Sequence, residues 1–329
     1  MKKTLIALAA VAATGAAFAQ SSVTLYGVAD ISLGAASDAG TMNMTSDSFQ
    51  AISANTLNNG NSRWGVRGVE DLGGGLKAGF NFEQGLSLGD GSVAKSGGGE
   101  FGRAANLSLM GNFGEVRLGR SLSTSFYAVT MWELTGAANY SAVGNQFGFA
   151  GAGPRNSAAV MYFSPNMGGF TVGASTVLKG NDASTTIAGE QSKYDLSLGY
   201  ANGPVAASFA YNKVQDGNEG WALGGKYNFG AFTIAGSYQN AETDAGVTLG
   251  EGFTIGGTTN IGPVALTLDI ARDTEFKDTD WVLEAKYPLS KRTFVYAVAM
   301  RDGKGKVTVN NPTGAINASG YAVGIRHNF

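Results

Sequence analysis

Cysteine is absent from the 329 residues, histidine occurs once and proline six times. Without cysteine the chain is not one of the small secreted domains held together by disulfides. With one histidine and no thiol, a zinc or other transition-metal centre lacks its usual donors, and no metal or cofactor is expected. A serine hydrolase would need His327 beside a nucleophile on a loop. It stands instead two residues from the C-terminus, in what reads as the last strand. No run of 18 apolar residues follows the first twenty positions, which excludes a helical membrane span. There is no basic excess, so nothing points to a nucleic-acid partner. The glycine runs at 73–75 and 97–99 lack the strand–glycine–helix context of a phosphate cradle.

What is present begins with an export address. Lys2 and Lys3 precede the short apolar stretch Leu5 to Ala13, and Ala17-Phe18-Ala19 forms a small-x-small cleavage site. That is the three-part pattern of a secretory signal. Residues 1–19 are therefore expected to be removed, leaving 20–329 as one domain. Without Lys2 and Lys3 the mature chain has 21 basic and 25 acidic residues, a net charge of −4. Glycine is abundant, at 50 residues, about twice its ordinary share of about 7%.

The repeated local pattern is alternation with period two. In Lys193 to Tyr200, Tyr194, Leu196, Leu198 and Tyr200 take one face, and Lys193, Asp195, Ser197 and Gly199 the other. Successive strand side chains point to opposite sides, so the segment has one oily and one wet face. Sixteen such segments are predicted, at 22–34, 61–70, 76–85, 100–110, 115–121, 155–164, 170–179, 192–201, 204–213, 220–229, 231–240, 251–261, 263–272, 279–288, 292–302 and 319–329. The fourth separates its faces least cleanly. Short turn-like connections, rich in Gly, Asn and Pro, alternate with long polar ones at 35–60, 86–99, 122–154, 180–191 and 303–318.

A wet second face argues against two sheets hiding their oily faces in a common core. Tyr, Trp and Phe recur at the ends of the oily face, as in the girdles at a bilayer surface. In lipid an open sheet edge leaves backbone groups unpaired, so the sheet must close. The expectation is an all-β, 16-stranded antiparallel transmembrane β-barrel, wide enough to hold water. A secreted soluble sandwich or propeller is the alternative, and would stay in solution without detergent.

The connection from Ser121 to Pro154 is the longest, is rich in glycine, and carries Glu133 as its one charge between Arg120 and Arg155. It reads either as a segment folded into the lumen or as an ordinary surface loop. Arg63 and Arg67 share the face of the second strand opposite Trp64 and Val66, Arg103 begins the fourth, and Arg155 begins the sixth. A guanidinium is always charged. These arginines either set up an anion-favouring field in a low-dielectric constriction or pair locally with wall carboxylates such as Glu83 or Glu115.

The chain resembles the general diffusion porins of beta-proteobacterial outer membranes. The resemblance spans the mature chain and is carried by Val23-Thr24-Leu25-Tyr26-Gly27, by Ser62 to Ala78 (SRWGVRGVEDLGGGLKA), by Gly114 to Arg120 (GEVRLGR), by Arg155-Asn156-Ser157 with Tyr162, Ser164, Pro165 and Gly168-Gly169-Phe170, and by the ending Arg326-His327-Asn328-Phe329. It implies a sixteen-stranded homotrimer in outer-membrane lipid and lipopolysaccharide, with the third loop inside each barrel. It also implies a basic constriction at Arg63, Arg103 and Arg155, with Arg67 and Glu133 added from the residue pattern. Phe329 matches the terminal aromatic read by the outer-membrane assembly machinery, which receives the chain from periplasmic chaperones. Asn106 stands where the family usually has an aromatic, and the third loop has fewer acids than its relatives. The expected function is passive, weakly anion-selective diffusion of small hydrophilic solutes and ions. The alternatives are a substrate-specific channel and a plugged structural or adhesive barrel.

Overall fold

The computed structural model describes residues 22–38, 41–43, 57–94, 99–147, 153–180, 191–303 and 318–329. The expected signal segment lies outside the described residues. Sixteen strands form one antiparallel wall. The first eight are β1 (Ser22–Asp38), β2 (Arg63–Gly73), β3 (Leu76–Leu86), β4 (Ala104–Gly111), β5 (Gly114–Leu122), β6 (Arg155–Phe163), β7 (Phe170–Val177) and β8 (Lys193–Asn202). The second eight are β9 (Val205–Val214), β10 (Glu219–Asn228), β11 (Phe232–Glu242), β12 (Thr248–Ile261), β13 (Val264–Asp273), β14 (Asp278–Pro288), β15 (Thr293–Asp302) and β16 (Ala318–Asn328). Two short ladders, Thr41–Asn43 and Val93–Ala94, extend β1 and β3 into their loops.

β1 closes the cylinder. Val28 to Ser37 pair with Asn328 to Ser319 on β16, and Ser22 to Val28 pair with Val69 to Arg63 on β2. Gly27 and the terminal Phe329 exchange backbone hydrogen bonds of 2.9 and 3.0 Å. All sixteen predicted segments are strands. The fourth starts late, at Ala104 rather than residue 100. Phe101 turns aside to pack against the rings of Trp64 and Phe82, and the Gly102 carbonyl is used by Arg120.

The two faces separate as the alternation requires. On β8, Tyr194, Leu196 and Leu198 are exposed on the outside while Lys193, Asp195 and Ser197 are buried inside. Exposed apolar side chains cover the outer wall from Leu25 and Leu33 on β1 to Val323 and Ile325 on β16. In water such a surface is unfavourable, and in a bilayer it is solvated. Leu198→Arg, in the middle of β8, is therefore expected to destabilise the barrel by about 2–4 kcal/mol. Urea unfolding in lipid vesicles checks this, and an unchanged midpoint would show that this face does not meet hydrocarbon.

Among the described residues, two helices, α1 (Thr124–Thr130) and α2 (Ala142–Phe147), lie in the long connection between β5 and β6. Ser123 caps α1, its Oγ accepting from the Phe126 N–H at 3.2 Å, and its own N–H donates to the Pro154 carbonyl at 3.0 Å. The base of the loop is thereby closed. The carboxylate of Asp195 accepts the Ser125 N–H and both the Thr124 and Ser125 hydroxyls, placing negative charge where the helix leaves N–H groups unpaired.

Candidate functional site: the narrowed lumen

The third loop lies against inward-facing side chains. Trp132 donates its indole N–H to Ser208 Oγ at 2.9 Å, and Ser208 donates to the Ala128 carbonyl at 2.6 Å. Lys286 Nζ reaches the Thr135 carbonyl at 2.9 Å. Tyr140 donates its hydroxyl to Glu284. Burial and the adjacent Glu284 carboxylate push the Tyr140 phenol well above its ordinary range, so it stays a neutral donor.

The seat is cut from glycines. A Cβ added at Gly224 would lie 2.3 Å from the Trp132 ring, one at Gly199 2.6 Å from Met131 Sδ, one at Gly256 2.9 Å from Leu134 and one at Gly173 3.1 Å from Thr124. These glycines occupy inward positions on β10, β8, β12 and β7 and give the loop a track around the inner wall. A strand glycine marks close approach of another segment, and here that segment is the loop.

Glu133 does not project freely. It is 6% exposed, and its oxygens accept the N–H groups of Thr135 and Ala137 and the hydroxyls of Thr135 and Ser141. Its carboxylate holds the loop's own turn. Beside it about 1030 Å³ of open space is lined by Glu133, Leu134, Lys226, Asn228, Thr233 and Thr258, among others.

The basic side lies on β2 to β6. Glu83 of β3 joins two arginines: its carboxylate is 2.7 Å from Arg103 Nε and 3.5 Å from Arg63 Nε. Arg155 Nε donates to the Arg103 carbonyl at 3.2 Å, and among the described residues no carboxylate reaches it. Arg67 is set apart, its guanidinium 4.9 Å from the centre of the Tyr26 ring. Glu115 pairs with Arg117 at 2.9 Å. Local pairing therefore accounts for Arg63 and Arg103 in part, with one acid shared by two cations.

Strand parity does not orient Arg155. The register slips between Gly119 and Ser121, where Asn156 opposes Ser121 and Ala159 opposes Gly119. Gly119 sits at φ 116°, and a Cβ there would be 2.4 Å from the Ala105 carbonyl oxygen, so glycine is required at this bulge. Asn106 faces inward and donates to the Arg120 carbonyl at 2.9 Å. In place of an aromatic contact it holds the bulge. Arg120 in turn reaches Gly102 and Ser157, each at 2.5 Å.

Comparisons with known proteins decide what this cylinder is. The Gram-negative porin family profile matches residues 4–306. The chain belongs to that family. The porin is 33% identical to outer membrane porin protein 32 of Delftia acidovorans across the whole of both chains. It is 31% identical to an outer membrane porin protein of Bordetella pertussis, covering 82% of this chain and 74% of that one. The solved structure of an anion-selective porin from Comamonas acidovorans superposes with a TM-score of 0.71 at 28% identity, covering 94% of this chain and 100% of that one. The porin is thus a non-enzymatic outer-membrane channel for passive diffusion.

The porin also uses residues that pattern reading passed over. Asp195 on β8, Asp269 on β13 and Glu284 on β14 are 4%, 3% and 1% exposed. Two of these wall acids seat the third loop, Asp195 by accepting from Thr124 and Ser125 and Glu284 by accepting from Tyr140. On the inner side of β14 and β15, Val282, Tyr296, Val298 and Met300 are buried against Leu57, Ala138 and Tyr140. Apolar residues at inward positions were the available sign that loops cover this stretch.

Glu83→Gln tests the shared ion pair. With the acid gone, Arg63 and Arg103 lose their common counter-charge, and chloride preference is expected to rise several-fold, at about 1 kcal/mol per charge near 4 Å in water. Reversal potential measures it; an unchanged value would show that Glu83 does not face the ion path.

Proposed function

We propose that the porin is anion-selective and that Arg63, Arg103 and Arg155 carry the selectivity. The observation behind this reading is the imbalance at β2 to β6: Glu83 is shared by two guanidiniums, and a third lies beside them. A positive cluster in a narrow, low-dielectric passage concentrates anions. The net charge of −4 says little about so local a field. Arg67, over Tyr26, would extend the basic track along the wall. Glu133 would act by holding the loop that narrows the lumen. The anion selectivity named for the Comamonas acidovorans porin supports the same sign.

In a planar bilayer under a tenfold KCl gradient, the zero-current potential is expected to carry the sign of chloride preference. It should shrink as salt rises, because screening shortens from about 10 Å at 0.1 M to about 3 Å at 1 M. Potassium preference would overturn the assignment and leave the fold untouched.

The same reading includes cleavage after Ala19, recognition of Phe329 during assembly from the periplasm, and a homotrimer in outer-membrane lipid. The outward rings of Trp64, Phe80, Phe82 and Phe101, packed 5.6–6.3 Å apart, offer an aromatic patch to a neighbouring subunit. Mass spectrometry of the exported protein and its mobility in mild detergent check these points.

A further inference from the structure

The end of the first long loop is built into the interior. On its β2 side, β1 has ladder partners only up to Val28 and again from Ala36, among the described residues. The segment 57–62 fills the gap. Asp30 N–H donates to Ser62 Oγ at 2.9 Å, Ser62 donates back to the Asp30 carbonyl at 3.0 Å, and Gly60 N–H reaches the Asp30 carboxylate at 3.0 Å. Ser32 donates to Asn58. Leu57, Asn58, Asn59 and Ser62 are at most 3% exposed, a depth that a polar surface loop does not reach.

Asn59 ties three walls to the third loop. Its N–H donates to Tyr296 at 3.1 Å, its amide nitrogen to Tyr140 at 2.8 Å and Glu284 at 3.1 Å, and its amide oxygen accepts from Arg326 at 2.8 Å. Buried amides persist when every donor and acceptor is matched, and this one is matched four times. Asn61, half-buried, accepts from Asn139 of the third loop at 2.8 Å, while its carbonyl accepts from Arg63 at 2.9 Å.

We propose that the segment Asn58-Asn59-Gly60-Asn61, buried but for Asn61, presents that residue to the passage as a second pore-lining element that sets selectivity. It bridges to the third loop through Asn61–Asn139 and Asn59–Tyr140, and fixes the Arg63 guanidinium through the Asn61 carbonyl. The narrow part of the passage is a two-loop ring in which Asn61 is a positioning residue for Arg63. The inference rests on the channel reading above and adds which residue of the first long loop faces the ions.

The native chain has no cysteine, so Asn61→Cys introduces a unique thiol. Labelling it in the bilayer with a methanethiosulfonate bearing a sulfonate or a trimethylammonium is expected to lower single-channel conductance about twofold or more with either reagent, by occlusion. The two should shift the zero-current potential in opposite directions, the sulfonate weakening chloride preference. Asn139→Ala, which keeps Asn61 but removes its bridge to the third loop, is expected to raise conductance and reduce chloride preference while leaving the heat stability of the barrel unchanged. An unlabelled thiol in a conducting barrel, or a labelled one with unchanged conductance and potential, would overturn the proposal. A wild-type barrel that conducts nothing would instead sink the channel reading on which it rests.

Discussion

Trp132→Ala is expected to unseat the middle of the third loop, raising single-channel conductance and open-channel noise while leaving the barrel folded. The ring is 1% exposed, packs with Val129, Val143 and Ala222, and fills the space left by Gly224. Truncating a buried tryptophan costs about 3–5 kcal/mol. The Ser208 bond is lost as well. None of this involves the strand ladders, so the loss falls on the seat of the loop. The two ends remain tied through Asp195 at α1 and through Tyr140 to Glu284, which limits the change to partial widening. Gly224→Leu approaches the same contact from the wall and is expected to give the same widening with the tryptophan present. Agreement of the two variants in conductance would assign the effect to the seat itself. Wild-type conductance in both would show that the loop is held elsewhere.

The triple substitution of Arg63, Arg103 and Arg155 by alanine is expected to abolish chloride preference and turn it toward potassium. Each charge contributes about 1 kcal/mol to a passing ion near 4 Å even at the dielectric constant of water. Three together amount to more than a tenfold change in the ratio of anion to cation permeability, a tenfold ratio being about 1.4 kcal/mol. Glu83, left without its two arginines, adds negative charge to the same place and drives the reversal. Its hydrogen bond from the Tyr26 hydroxyl at 3.0 Å keeps it oriented. The zero-current potential under a KCl gradient reads the change. A triple variant that still prefers chloride would move the selective element away from this cluster.

The wall was legible because its physics is local. A strand with lipid on one side and water on the other must alternate, and the alternation in Lys193 to Tyr200 appears in the structure residue by residue. Arg63 was placed by the same rule, since the ladder between β2 and β3 runs unbroken from Arg63 to Asp71. Arg155 was not, because one extra residue on β6, where Ser157 and Ala158 together oppose Arg120, breaks the parity between it and the rest of the strand. The wall acids were also hidden. Asp195 on β8 is remote in sequence from Asp269 and Glu284 on the neighbouring strands β13 and β14, and only closure of the sheet brings them into one interior. The role of the segment 57–62 was hidden for a different reason. Asn-Asn-Gly-Asn has the composition of an exposed turn, and its burial depends on partners supplied by β1, β14, β15, β16 and the third loop together. Glycine was the underused signal: Gly173, Gly199, Gly224 and Gly256 all fall on inward positions, where a missing side chain means that something else occupies the space.

The most direct test is swelling of vesicles carrying the purified porin in three solutes of similar size: a small organic anion, a neutral sugar and an organic cation. An open passage narrowed on a basic side should admit the anion fastest, the sugar next and the cation slowest. Equal rates for all three, or no swelling with a correctly folded barrel, would contradict a water-filled cylinder with a positively charged narrowing.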